Sequence, residues 1–265
     1  MLFSDKELNF DIPKVMGIIN LTPDSFSDGG KFISKKSLKV DKSKVLKEIE
    51  AMENSGASFI DIGAESTRPN SERISVQEEM DRLMPILEEI KNIRAVVSID
   101  SSKGEVIFEA IKKGVNLIND INSLEDKNSL ELVKKYNLPV CIMHKKENLS
   151  KNPICLEIEN FFHKKLEELC EKGISKEKII LDPGFGFKKT PNENLEIISK
   201  FDYTKFDNLS LIGISRKGFL KKLTKDSNLD QTSITTGIIS LLNGAKILRV
   251  HDVPSTVLAV EEVFG

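Results

Sequence analysis

The chain has 265 residues, enough for one large domain or two small ones, and α/β barrels use about 250 residues as a single unit. Its 39 Lys and Arg against 41 Asp and Glu leave a formal charge of −2, which argues against a nucleic-acid partner and for small-molecule ligands. Three cysteines without CxxC spacing exclude a disulfide framework; residues 1–13 carry no continuous apolar core and no apolar run could span a bilayer, so the chain reads as soluble, membrane-free and cytoplasmic.

Short β-branched runs predict strands over residues 15–20, 59–64, 95–100, 117–120, 140–144, 179–182, 209–215 and 247–251, each followed by a charged amphipathic stretch of helical length. Eight such units predict parallel βαβ connections closed into a single (β/α)8 TIM barrel over residues 1–265, with its site at the C-terminal ends of the strands. Behind the first strand runs Asn20-Leu21-Thr22-Pro23-Asp24-Ser25-Phe26-Ser27-Asp28-Gly29-Gly30, inside a long connection over 21–40. Its hydroxyls, carboxylates and glycines are too particular for ordinary turn chemistry, and the segment reads as a lid. Ser75-Val76-Gln77-Glu78 predicts a capping box; Val76, Met80, Leu83, Leu87 and Ile90 follow at helical spacing, with a kink expected at Pro85. Residues 145–153 form a second polar connection, for which a lid and a solvated excursion are equally good readings. Ile154, Ile158, Phe161, Phe162, Leu166 and Leu169 then form a core-facing stripe that stops near Gly173.

The predicted strand ends are polar throughout. They supply Asn20, then Asp61 and the run to Pro69, Asp100, Asn119-Asp120, Met143-His144, Asp182-Pro183-Gly184-Phe185-Gly186-Phe187, Ser215-Arg216-Lys217 and Arg249-Val250-His251. In a parallel barrel such ends converge on one face whatever their separation in sequence, so eight polar ends predict one active site. Blander roles remain for some of them. Asp182 before Pro-Gly could start a turn, Asp61 could orient its neighbours, Met143 could be pocket wall, and His144 reads as a satisfied histidine beneath the site. Arg68 could pair with Glu65, although anion binding is the favoured reading. His163 reads as solvent-facing, and the three histidines lack the HExxH spacing of zinc enzymes.

The segments 20–30, 61–69, 98–103, Asn119-Asp120-Ile121, 182–187, Ser215-Arg216-Lys217 and Arg249-Val250-His251-Asp252, in this order, make the chain resemble the dihydropteroate synthases. These pterin-binding transferases of folate biosynthesis are the sulfonamide targets. The resemblance covers nearly the whole chain. It implies a barrel that joins 6-hydroxymethyl-7,8-dihydropterin diphosphate to 4-aminobenzoate, with Mg2+ assisting, and a homodimer.

Residue by residue, it implies that Asp182 accepts the two-donor fork of the pterin, with Asp100 and Asn119 completing that edge and Met143 as wall. Lys217 would donate to the 4-oxo oxygen and N5, and Arg249 would stack on the ring face. Asn20, Arg68, Arg249 and His251 match the diphosphate pocket, with Asn20 beside the metal. Thr67, Pro69, Phe187 and Ser215 match the aminobenzoate pocket, whose carboxylate would lie near the start of a helix after Ser215-Arg216-Lys217. The catalytic set is Asp24, Lys217, Arg249 and His251: an arylamine is already nucleophilic, so diphosphate departure is the hard step, and an SN1-like route would draw on the negative charge of Asp24. Gly218, Lys188 and the Lys-rich loop after His144 depart from the family pattern. Two other functions compete: a pterin-binding methyltransferase barrel, against which the Thr-Pro-Asp-Ser-Phe-Ser loop argues, and a non-catalytic pterin-binding module, against which the anion-binding residues argue.

Overall fold

The computed structural model of the protein describes residues 1–23, 32, 40–66, 73–146, 152–222 and 228–265. A short antiparallel hairpin, β1 (Leu2–Phe3) and β2 (Lys6–Glu7), precedes eight strands: β3 (Lys14–Asn20), β4 (Phe59–Gly63), β5 (Val96–Asp100), β6 (Leu117–Asp120), β7 (Val140–Met143), β8 (Ile179–Asp182), β9 (Leu211–Ile212) and β10 (Ile247–Val250). Each is followed by one α-helix: α1 (Lys42–Asn54), α2 (Val76–Leu87), α3 (Gly104–Lys113), α4 (Lys127–Tyr136), α5 (Ile154–Glu171), α6 (Pro191–Lys200), α7 (Leu229–Leu242) and α8 (Val253–Phe264). The strands pair in parallel in the order β8-β7-β6-β5-β4-β3-β10-β9. A bridge from Leu181 to Ser210 joins the two ends, and the sheet closes into the expected (β/α)8 barrel.

Side-chain alternation sets what the barrel encloses. Met16, Phe59, Val96, Leu117, Cys141, Ile180, Leu211 and Ile247 point inward as one apolar floor. Their strand neighbours, such as Val15, Ile60, Val97, Ile118 and Leu248, pack outward against the helices. Phe3 of the hairpin is fully buried and meets Phe59 edge to face at 5.1 Å, so the hairpin plugs the amino-terminal end. Lys6 fastens it by donating to the carbonyls of Ile93 and Ala95. Two-residue strands carry no periodicity, so the sequence pattern gives no sign of this plug.

Four local expectations need correction. Ser75 does cap α2, accepting from the Glu78 N–H, but the Glu78 carboxylate turns to Arg82 at 2.5 Å instead of reaching back to the cap. The complete capping box lies at α6, where Thr190 and Glu193 exchange both bonds and Pro191 fills the first helical position. Helix α2 runs through Pro85 and ends two residues later, so the proline acts close to a terminus, with a 3-10 turn at Ile90–Asn92 after it. The strand predicted over 209–215 shortens to Leu211–Ile212. No α-helix starts directly after Lys217 either: a 3-10 turn occupies Leu220–Lys222 and α7 opens only at Leu229.

Candidate active site

Two residues above five of the eight floor residues, the inward side chain is polar. Asp61, Ser98, Asn119, Asp182 and Arg249 occupy these positions and all except Arg249 are buried. Asp61, fully enclosed, accepts from Arg249 Nε at 2.6 Å and from Asn119 Nδ2 at 3.1 Å on the same oxygen. Arg249 also donates to Asp100 at 3.0 Å. One guanidinium thus bridges two carboxylates, and a fourth strand joins through Asn119. Burial pushes Asp100 up to about 7, with Arg249 opposing and the like charge of Asp61 adding to the rise. Burial works to lower Arg249, but Asp61 and Asp100 outweigh it and the guanidinium is held charged. Asp61 therefore takes the orienting role that the sequence left open to it.

At the end of β8, Asp182 accepts the Gly184 N–H at 2.7 Å through Oδ1, and no hydrogen bond to Oδ2 joins it among the described residues. Burial raises its pKa, against Gly184, Lys217 and Lys189. Gly184 is required by geometry: φ is +69° and a Cβ would lie 2.1 Å from the His144 carbonyl oxygen. Met143 is buried beside this turn. Lys217 holds its ammonium 4.6 Å from the centre of the half-buried Phe187 ring, a cation–π contact facing the same side of the barrel.

Ser215 and His251, at the ends of β9 and β10, are tied together. The Ser215 hydroxyl lies 2.9 Å from His251 Nδ1 and also accepts the His251 backbone N–H at 3.3 Å. Burial, and then the cations Arg216 and Arg249, press His251 down to about 3. The imidazole is neutral at pH 7, so it meets a ligand as a hydrogen-bonding group and not as a cation. Arg216 itself is pinned to Asp230 by two bonds. Gly218 faces open space.

Asp24, Thr67, Arg68 and Pro69, and with them most of the connection over 21–40, lie outside the described residues. Asn20 sits half-buried at the end of β3. His144 is buried, yet among the described residues Nδ1 has no partner and Nε2 is 3.5 Å from Glu157, so it is not the satisfied histidine expected. Its surroundings explain this: the ring meets Phe161 at 5.2 Å, and burial with Lys189 and Lys146 keeps it neutral, near 3. His163 is exposed as expected.

The model of the pterin binding enzymes matches residues 16–251. The chain is 40% identical to the dihydropteroate synthase of Haemophilus influenzae over 96% of its own length and 94% of that protein. The Yersinia pestis dihydropteroate synthase solved in a sulfonamide drug complex superposes with a TM-score of 0.90 at 37% identity, covering 99% of this chain and 97% of that one. The chain belongs to the dihydropteroate synthase family. A Xanthomonas albilineans dihydropteroate synthase solved with 4-aminobenzoic acid also superposes, with a TM-score of 0.88 at 31% identity over 98% and 96% of the two chains.

Within this dihydropteroate synthase barrel, several supports escaped the sequence reading. Lys103 pairs with the buried Glu79 at 2.6 Å and with Glu65 at 3.3 Å, and also holds the Ile74 carbonyl, so it ties β5 to the connection after β4. Asp120 accepts from Ser102 and from the N–H groups of Asn122 and Leu124, shaping a turn in which Ser123 and Leu124 have positive φ. Lys189, buried behind Asp182, is the third. A Lys-Lys pair and a Ser-Ser pair give no sequence signal of which member turns inward.

Proposed function

We propose that the chain condenses 6-hydroxymethyl-7,8-dihydropterin diphosphate with 4-aminobenzoate, giving 7,8-dihydropteroate and diphosphate. The observation that carries this reading is the inward ring of Asp100, Asn119, Asp182 and Arg249 above an apolar floor, in a chain that belongs to the dihydropteroate synthases. It is a transferase of folate biosynthesis. A pterin presents two parallel donors, its 2-amino group and N3–H, and a buried carboxylate is the acceptor that fits them; Asp182 takes this role. Asn119 meets a ring nitrogen and an amine with one amide, Asp100 adds the next polar group along that edge, and Met143 forms the wall. Lys217 donates to the 4-oxo oxygen. Arg249 lies against the ring with its charge held in place by Asp61 and Asp100.

The diphosphate end falls to Asn20, Arg68, Arg249 and His251, with His251 donating through Nε2 in the tautomer whose Nδ1 accepts from Ser215. Among the described residues no group of three or more His, Cys, Asp or Glu is placed to hold a metal ion. Asn20, at the end of β3, would offer its side-chain oxygen to Mg2+, a hard ion that favours oxygen ligands and would keep phosphate oxygens and water around it. The ion would supply positive charge against the departing diphosphate. Because the arylamine needs no general base, the residues serve departure: His251 and Arg249 hold the leaving group, and Asp24 offers negative charge to a cationic pterin methylene in an SN1-like step. Thr67, Pro69, Phe187 and Ser215 line the aminobenzoate side, where sulfonamides, which also carry an arylamine, would compete.

We further propose a homodimer in the cytoplasm. The adjacent helices α7 and α8 leave Ile239, Leu242, Leu258 and Val263 exposed, an apolar surface suited to a second copy. Among the described residues no helix is long and apolar enough to cross a membrane.

Incubation with Mg2+ and both substrates should yield dihydropteroate. Absence of product while pterin still binds would leave only a binding module. Asp182→Ala should abolish pterin binding with the fold intact, and retained affinity would remove the fork assignment.

A further inference from the structure

Lys189 is 7% exposed, yet among the described residues no carboxylate lies within ion-pair distance of it. Its ammonium donates instead to two backbone carbonyls, that of Gly184 at 2.7 Å and that of His144 at 3.0 Å. These belong to two neighbouring strand ends, β8 and β7. They meet where the backbone is tightest, because a Cβ on Gly184 would overlap the His144 carbonyl oxygen. The same Gly184 residue offers its N–H to Asp182 Oδ1 at 2.7 Å. The turn behind Asp182 is therefore held at both of its polar ends, by the carboxylate in front and the lysine behind.

The rest of the loop is tied so that Lys189 cannot swing away. Its backbone N–H bonds the Gly186 carbonyl at 2.6 Å. Asn194 of α6 accepts from Gly186 N–H at 2.7 Å and donates to the carbonyls of Lys189 and Thr190 at 3.2 and 2.7 Å. From the other side, Ser123 exchanges hydrogen bonds with both backbone groups of Met143 at 2.9 and 3.0 Å. The segment Met143-His144 is thus clasped between the β6 loop and Lys189.

Burying an ammonium without a paired carboxylate is costly, and burial does press this one down to about 7, with Asp182 as its main support. An apolar residue would fill the space at less cost, whereas a side-chain nitrogen with several N–H donors can grip two carbonyls at once.

We infer that Lys189 is a positioning residue for pterin binding: by gripping Gly184 and His144 it aims the Asp182 carboxylate at the pterin, without touching substrate. This rests on the reading of Asp182 as the pterin acceptor, and the experiment separates the two.

Lys189→Met, Lys189→Arg, Asp182→Asn and the double variant Asp182→Asn/Lys189→Met are titrated by calorimetry with dihydropterin diphosphate and Mg2+, and their KM for 4-aminobenzoate is measured at saturating pterin. Losing one buried hydrogen bond's worth of alignment predicts about tenfold weaker pterin binding in Lys189→Met, with the aminobenzoate KM within about twofold. Lys189→Arg, whose fork can reach two carbonyls, should recover most of that loss. In the Asp182→Asn background Lys189→Met should cost little more, because its effect passes through Asp182. Unchanged pterin affinity in Lys189→Met, equal losses for both substrates, or full additivity in the double variant would overturn the inference. If Lys189→Met fails to fold, Lys189→Gln decides, since its shorter side chain cannot grip both carbonyls: selectively weakened pterin binding supports the inference, and parental affinity overturns it. If Asp182→Asn alone binds pterin normally, the acceptor assignment fails, whatever Lys189 does.

Discussion

Removing the Asp61 carboxylate tests the scaffold of the site most directly. One oxygen of this fully buried group serves Arg249 at 2.6 Å and Asn119 at 3.1 Å. In Asp61→Ala both donors lose their acceptor inside the barrel. A stranded buried donor costs about 1–3 kcal/mol, and breaking a buried ion pair about 3–5 kcal/mol. Arg249 keeps its bond to Asp100 at 3.0 Å, so the guanidinium is not wholly abandoned and the expected loss is about 2–5 kcal/mol. Asp61→Asn retains an acceptor oxygen but forfeits the charge, and it sets an amide Nδ2 where Oδ1 is buried with no partner among the described residues. Its loss should be about 1–2 kcal/mol. Urea unfolding of the ligand-free protein gives both values, provided the slopes match the parent's. Since the like charge of Asp61 helps to raise Asp100, both variants should also ionise Asp100 below its present value of about 7. A shift in Asp61→Ala of under about 0.5 kcal/mol at unchanged slope would refute the reasoning, because Arg249 would then rest on Asp100 alone.

Three further outcomes follow from the geometry. Asp100 titrates near 7 in the fold against an ordinary 3.8, so between these values the folded chain holds a proton that the unfolded chain releases; its stabilising contribution is complete below 3.8 and is lost as pH rises through 7. The stability difference between parent and Asp100→Asn, from urea midpoints across that interval, should therefore fall with pH, and a flat difference would contradict the assignment. Gly184→Ala forces a Cβ to 2.1 Å from a carbonyl oxygen at a positive φ and should cost about 3 kcal/mol or more, whereas Gly218→Ala meets nothing and should stay within about 0.5 kcal/mol; equal midpoints would contradict this. Thr190→Ala opens the capping box of α6 and should cost about 1 kcal/mol with turnover intact, measured by thermal unfolding and initial rates.

The barrel was legible because each strand advertises itself as a short β-branched run before a charged amphipathic helix. The site was legible as a set of polar strand ends. What stayed hidden was pairing. Arg249 reads as one more polar residue until the fold carries it 188 positions back along the chain to Asp61. The capping box shows the same limit locally: Ser75 and Thr190 each precede a Glu at the right spacing, and only the presence of Arg82 four residues on decides that Glu78 turns away. The hairpin plug escaped because its strands are shorter than one period of any pattern, and its evidence is tertiary, in the contact of Phe3 with Phe59.

Parity explains why the polar ends form one site. Side chains two apart on a strand face the same way, so each floor residue fixes the direction of the residue two beyond it. Phe59 therefore commits Asp61 to the interior, as Val96 commits Ser98, Leu117 commits Asn119, Cys141 commits Met143, Ile180 commits Asp182 and Ile247 commits Arg249. A slip of one residue in any of these strands would turn its carboxylate, amide or guanidinium toward the helices and bring residues such as Ile60 or Ile118 into the cavity. The cost would fall twice: a charge would be buried without its partner, and the helix layer would lose the apolar side chain it packs on. The register that packs the helices is thus the register that assembles Asp61, Asp100, Asn119, Asp182 and Arg249. A substitution that loosened one would loosen the other.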